Sequence, residues 1–208
     1  MNTVYYVTGA AGFLGSRVVD ELLRKGGTVR ALVLPGDPLA ARLPAEVQQV
    51  KGDILNPQQL DAFLEAGEQR DRVVIHCAAI ISMSIQPVQK VHNINVNGTS
   101  NVVEACLKWK VRKLVYVSSV HALPEKPKGQ TIYETTEFEP EKLVGAYAQS
   151  KGTAAKLVME AHRERGLPVT ILFPSGLTGP GALAGGNLNQ TFIDYMKGDL
   201  IAGVEGGV

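Results

Sequence analysis

Short apolar runs alternate along the chain with longer stretches whose apolar residues recur at helical spacing. The strand-like runs are Val4–Thr8, Thr28–Leu34, Val47–Lys51, Val73–Ala78, Lys113–Ser119 and Val169–Pro174. Several are apolar at consecutive positions, the pattern of strands covered on both faces. Between the first two runs, Leu14, Val18, Val19, Leu22 and Leu23 mark one face of a helix over Phe13–Lys25, which Gly26-Gly27 stops. A second helix should follow Asn56-Pro57, with Asn56 as N-cap and Pro57 in the first turn. Further helices are predicted over Val88–Trp109, Gly145–Arg165 and Leu188–Lys197. Such alternation predicts an α/β fold, a doubly wound parallel sheet with helices on both faces. Residues 1–175 account for that sheet, and residues 176–208 begin a second region. The stretch Pro124–Glu141 is polar and carries Pro124, Pro127, Gly129 and Pro140, so it reads as a long loop of functional interest.

The first strand runs into Thr8-Gly9-Ala10-Ala11-Gly12-Phe13-Leu14-Gly15-Ser16, with glycines three residues apart. Ligands of an open parallel sheet bind outside the carboxyl ends of its strands. A glycine there permits a tight turn and lets a pyrophosphate approach the backbone, and the N–H groups of the following helix start face an anion. The spacing is G-x-x-G-x-x-G rather than G-x-G-x-x-G, but the strand before it and the amphipathic helix after it give it the right context.

Composition narrows the partners. Lys and Arg number 21 against 20 Asp and Glu, for a net charge of +1, which argues against nucleic acid or an anionic membrane as the main partner. The two cysteines, Cys77 and Cys106, have no metal-ligand spacing and read as small core residues of a protein that needs no disulfide. No metal site is expected, since His92 and His162 lack partners at ligand spacing. His76 and Trp109 read as packing residues. The start of the chain lacks a signal-peptide pattern, and no run approaches the roughly 18 apolar residues of a membrane span. The expectation is a cytoplasmic protein acting on a small molecule.

Tyr147 and Lys151 stand four apart in Ala146-Tyr147-Ala148-Gln149-Ser150-Lys151, on one helix face. Upstream, Ser118 and Ser119 close a strand at the sheet edge that carries the glycine turn. A nearby ammonium should lower the pKa of the phenol by favouring the phenolate. A phenol so tuned can exchange a proton with a carbonyl or alcohol oxygen, which a serine hydroxyl can hold in place.

These pieces, with Gly52-Asp53-Ile54, His76-Cys77-Ala78-Ala79, the stretch from Asn95 to Ala105 that begins Asn-Val-Asn-Gly-Thr, and the stretch Pro174–Gly181, occur in one order over nearly the whole chain. In this the sequence resembles the extended short-chain dehydrogenases/reductases, also labelled NAD-dependent epimerase/dehydratase. The resemblance implies a Rossmann-type domain, a nicotinamide dinucleotide, and a catalytic set at Ser119, Tyr147 and Lys151, with Ser119 preferred to Ser118. Tyr147 would be the acid/base, and Lys151 would tune it and hold the nicotinamide ribose. Gly9, Gly12, Phe13, Leu14 and Gly15 would line the pyrophosphate. Asp53 and Ile54 would contact the adenine, Ala78 and Ala79 would lie along the ribose, and Pro174 and Ser175 would sit near the nicotinamide. Asn95 would have a more structural role, and the long middle helices would allow a homodimer.

Three departures refine this. At the end of the second strand, Val33 stands where an acid would read the ribose of NAD, and Leu34 where an arginine would accept the phosphate of NADP. With no acid there, NADP is favoured over NAD; Arg42 could reach a phosphate, and Asp37 could reach ribose hydroxyls. After Ser119 the chain continues Val120-His121-Ala122-Leu123-Pro124, nearer to the dihydroflavonol-reductase and 3β-hydroxysteroid-dehydrogenase branch than to sugar-nucleotide enzymes, and His121 could line a substrate cleft. The sequence stops where family members continue, so the C-terminal substrate region is expected to be largely absent. The leading expectation is hydride transfer between a nicotinamide and a ketone or secondary alcohol. The alternatives are a nucleotide-sugar epimerase or dehydratase, and a non-catalytic dinucleotide-binding sensor or scaffold.

Overall fold

The computed structural model describes residues 3–65, 71–180 and 187–199. Six parallel strands form one sheet: β1 (Thr3–Thr8), β2 (Thr28–Val33), β3 (Gln48–Lys51), β4 (Asp71–His76), β5 (Lys113–Val117) and β6 (Val169–Leu172). Their spatial order is β3-β2-β1-β4-β5-β6. The order reverses between β1 and β4, where Thr8 pairs with His76. Connections leave these two neighbours in opposite directions, which opens a crevice beyond their carboxyl ends.

Two cores enclose the sheet. Helix α1 (Phe13–Arg24) packs on one face, where Val19 joins Val7, Val29, Ala31 and Val33. On the other face lie α2 (Pro57–Leu64), the broken helix α3 (Gln89–His92) and α4 (Gly98–Lys108), and α5 (Ala146–Arg165). Their Leu60, Phe63, Val102, Val103 and Val158 bury Tyr6, Val74, Leu114 and Tyr116. The stop of α1 is a Schellman turn: the Gly26 N–H donates to the Leu23 carbonyl and that of Gly27 to Leu22, with Gly26 at φ +75°. Asn56 caps α2 as its sequence suggested, accepting from the N–H groups of Gln58 and Gln59.

The structure departs from sequence expectation in the third helix. The run Val88–Trp109 is not one α-helix. A π-helical turn, Asn93–Asn97, separates α3 from α4, because the Asn95 side chain is held by the loop after β4: its Oδ1 accepts from the Ile80 N–H and its Nδ2 donates to the Ile80 carbonyl, both at 2.9 Å. Strands β3 and β6 are exposed on alternate or most positions, since they flank the other four. The last helix, α6 (Asn187–Lys197), follows the loop after β6, and Leu188 packs against Gly176. Much of the expected second region, residues 181–186 and 200–208, lies outside the described residues.

Candidate active site

Helix α5 starts at a sharp corner. Gly145 adopts φ +96°, and the Ala146 N–H donates to the Ser84 carbonyl at 3.1 Å. That contact pins the helix start to the loop after β4 and places Tyr147 in the first turn. One turn on, Lys151 is buried: its Nζ donates to the Val117 carbonyl at 2.7 Å and lies 4.7 Å from the centre of the Tyr116 ring. Burial pulls its ammonium down to about 8. The backbone after β5 turns in a short 3₁₀ segment, Val120–Ala122, capped by Ser119, whose Oγ accepts from the His121 N–H at 3.2 Å. The Ser119 hydroxyl adjoins the Tyr147 phenol, and the His121 ring meets the Tyr147 ring edge-on at 6.1 Å between centroids. Ser118 instead points its buried Oγ towards the Tyr116 hydroxyl, and neither oxygen reaches a partner in hydrogen-bond geometry.

The Tyr147 phenol does not titrate as the spacing to Lys151 suggested. Its pKa is raised, because burial disfavours the phenolate, and the Ser119 hydroxyl only partly opposes that. The ammonium expected to lower it is committed to the Val117 carbonyl.

The glycine turn fits a pyrophosphate. Gly9, at φ +68°, sits so close to β4's exit that a Cβ there would lie 2.6 Å from the Ala78 nitrogen. A Cβ on Gly15 would lie 2.0 Å from the Gly9 carbonyl oxygen, so the helix start is pressed onto the turn. Gly12 is different. It is the N-cap of α1, it caps nothing with a side chain, and a Cβ there would meet only the Gly9 oxygen, at 3.2 Å. The first turn of α1 therefore presents N–H groups and open space together, with the backbone of Phe13 and Leu14 at its rim. The Phe13 ring reaches across to Gly179 in the loop after β6.

A buried polar chain ties this turn to the Tyr147 helix. Thr8 Oγ1 pairs with His76 Nδ1 at 2.6 Å, and His76 Nε2 with Thr99 Oγ1 at 3.0 Å. Thr99 donates to the Asn95 carbonyl, Asn95 Nδ2 to Ser150 Oγ at 3.0 Å, and Ser150 to the Tyr147 carbonyl at 2.7 Å. Burial, aided by the Lys151 charge, lowers the His76 imidazole to about 3, so it is neutral. Cys77 is pushed up to about 11 by burial and stays a thiol.

The sequence matches the family described as NAD dependent epimerase/dehydratase over residues 5–203. The chain belongs to that family. It is 33% identical over 192 residues to 3 beta-hydroxysteroid dehydrogenase type 7 of Mus musculus, covering 86% of this chain and 51% of the relative. It is 30% identical over 208 residues to a putative dihydroflavonol 4-reductase of Synechocystis, covering 100% of this chain and 59% of the relative. Among solved structures, gox2253 superposes with a TM-score of 0.82 at 30% identity, covering 95% of this chain and 58% of that one. A UDP-glucose 4-epimerase of Thermus thermophilus, in complex with NAD, gives 0.78 at 27% identity, covering 91% and 60%. The chain thus spans little more than half the length of the curated relatives it matches.

Within this family frame, the predicted residues fall into two sets. Ser119 adjoins Tyr147, while Lys151, one helical turn on, bonds the Val117 carbonyl two residues before Ser119; Gly9–Gly15, Ala78, Ala79, Pro174 and Ser175 follow the carboxyl ends of β1, β4 and β6 at the same edge of the sheet. The Pro174 carbonyl accepts from the Val120 N–H, and Ser175 is exposed. Asp53 and Ile54 also follow a strand end, but their side chains are engaged. Asp53 Oδ1 accepts from the Leu55 N–H at 2.9 Å, and Ile54 is buried against Gly98. Sequence reasoning overlooked Ser150, whose hydroxyl accepts from Asn95 and donates to the Tyr147 carbonyl. Among the described residues, no helix is long and apolar enough to cross a membrane.

Proposed function

We propose that this chain is the dinucleotide-binding, proton-transferring part of an oxidoreductase that interconverts a ketone and a secondary alcohol. The convergence of Ser119, Tyr147 and Lys151 beside the glycine turn carries the reading. The nicotinamide, when bound, supplies or accepts the hydride at the substrate carbon. In the reducing direction Ser119 Oγ holds the carbonyl oxygen, and the Tyr147 hydroxyl gives it a proton as the carbon–oxygen double bond becomes an alcohol. Tyr147 is left as phenolate and regains a proton from solvent, with the Lys151 ammonium held at the Val117 carbonyl one helical turn away. The raised pKa of the unliganded phenol keeps it protonated, the form a proton donor needs. NADP is preferred to NAD, because β2 ends at Val33 and is followed by Leu34, without a carboxylate for the ribose hydroxyls.

The substrate body is apolar. Ile81, Met83 and Ile85 alternate along the loop after β4 and are 72–81% exposed, as is Val144, two residues before Ala146, whose N–H donates to the Ser84 carbonyl of that loop. The names of the steroid and dihydroflavonol relatives support the same class. The test is a panel of apolar cyclic ketones and of sugar nucleotides, each with reduced dinucleotide. Net oxidation of the dinucleotide with a ketone is the expected result. Conversion of a sugar nucleotide with no net change in dinucleotide would replace this reading with an epimerase or dehydratase, and dinucleotide binding without any conversion would favour a sensor.

A further inference from the structure

Lys151 carries its charge where few groups favour it. The residue is 2% exposed, and among the described residues its Nζ donates to the Val117 carbonyl and meets no carboxylate. The titratable groups around it supply no anion near neutral pH: His76 is neutral, Cys77 is a thiol, and the Tyr147 phenol is protonated. What does meet the ammonium is an aromatic face, for Nζ lies 4.7 Å from the centre of the Tyr116 ring. We infer that this face is the seat of the Lys151 ammonium, which makes Tyr116 a positioning residue of the candidate site. The inference rests on the proposed role of Lys151 and names the side chain that holds it.

The seat is rigid. Tyr116 is 1% exposed, and its ring stacks on the His76 imidazole at 5.6 Å between centroids and 26° between planes. His76 is itself held between Thr8 and Thr99, so the ring has a fixed orientation. A cation over an aromatic face is attracted by the ring quadrupole, and the attraction grows when water is excluded. Both partners are buried here, so the ring offsets part of the desolvation that pulls the ammonium down. The face carries this effect, not the hydroxyl, whose oxygen has no partner in hydrogen-bond geometry. Tyr116 immediately precedes Val117 at the end of β5, so one strand end supplies both the carbonyl and the ring. Together they fix Nζ one helical turn from Tyr147.

Removing the ring outright would open the core, so the test changes its charge distribution and nearly keeps its volume. Tyr116→Phe and the mono-, di- and trifluorophenylalanine variants at the same position are titrated by NMR, with lysine isotopically labelled at Cε and the Lys151 signal assigned by its loss in Lys151→Arg. Tyr116→Phe should titrate within about 0.3 pH of the wild type, since it keeps the face. Each added fluorine weakens the quadrupole, so the Lys151 midpoint should fall stepwise, by about one pH unit over the series. A flat midpoint across the fluorinated variants would overturn the inference and leave the carbonyl as the seat. A midpoint that falls in Tyr116→Phe and no further would also overturn it, by assigning the effect to the hydroxyl. Turnover of a ketone tests the underlying reading separately, because its alkaline limb should move with the midpoint. A midpoint that moves while the limb stays would keep the ring as the seat and overturn the role of Lys151 in proton transfer.

Discussion

Gly12 and Gly15 lie three residues apart in the same turn, yet the geometry assigns them separate duties, and replacing each by alanine separates fold from ligand. At Gly15 the added carbon would lie 2.0 Å from the Gly9 oxygen and 2.9 Å from Ala10 Cα. Both neighbours are backbone. Restoring an ordinary carbon–oxygen contact requires α1 to move away from the turn by about 1 Å, which breaks its packing of Val19 on the sheet. Overpacking of this kind costs about 1–3 kcal/mol. At Gly12, φ is −74° and ψ 173°, a conformation open to alanine, and the nearest atom would be at 3.2 Å. The fold should lose no more than about 1 kcal/mol there, the usual cost of alanine in place of a good N-cap. The new methyl would nevertheless occupy the space facing the helix N–H groups, so dinucleotide affinity should fall by about tenfold or more. Urea unfolding and calorimetric titration of both variants read the two effects apart. Unfolding of Gly15→Ala at the wild-type urea midpoint, or normal dinucleotide binding by Gly12→Ala, would refute this division of duties.

Other perturbations reach the network beneath the turn. Asn95→Ala strips partners from Ile80 and Ser150 at once and should cost about 2–4 kcal/mol in urea unfolding; a loss under about 1 kcal/mol would mean that the loop after β4 is held by other contacts. His76 is neutral when folded, with its pKa lowered to about 3, so the unfolded chain takes up the proton first. The stability this confers is complete above pH about 6.5 and is lost as pH falls towards about 3; His76→Gln should show a shallower acid loss, and equal slopes would show that the ring carries no such linkage. Lys151 titrates near 8 in the folded chain, well below an exposed lysine. If its charge supports the Tyr147 phenolate, turnover should decline as pH rises through about 8, and Lys151→Arg should remove that alkaline limb in whatever activity it retains; an unchanged limb would place the titration elsewhere.

Much of the fold could be read because it rests on local periodicity. The stripe Leu14–Leu23, the Gly26-Gly27 stop and the Asn56-Pro57 start each depend on neighbours in sequence, and each stands where the pattern put it. The π-helical turn was illegible because its cause is not local. The Asn95 amide reaches Ile80 fifteen residues away in the chain, and nothing in the spacing of apolar residues reports that. The residue set of the candidate site was also legible, from Tyr147 and Lys151 on one helix face and Ser119 at a strand end. Its electrostatics were not. The sign of the Tyr147 shift depends on how deeply the phenol is buried and on what the Lys151 ammonium touches first, and both are tertiary facts. Asp37 shows the same limit: a loop carboxylate free to reach a ribose by sequence alone is, in space, a cap.

The claim on which the rest depends is that the Tyr147 phenol delivers the proton at a site where a dinucleotide delivers the hydride. Transfer of deuterium from C4-deuterated reduced dinucleotide to the carbinol carbon of a ketone substrate, followed by mass spectrometry, measures that event directly. The wild-type chain should label the alcohol, and Tyr147→Phe should bind the dinucleotide with a similar Kd yet leave the ketone unlabelled. Labelling by Tyr147→Phe at a rate close to wild type would contradict the account.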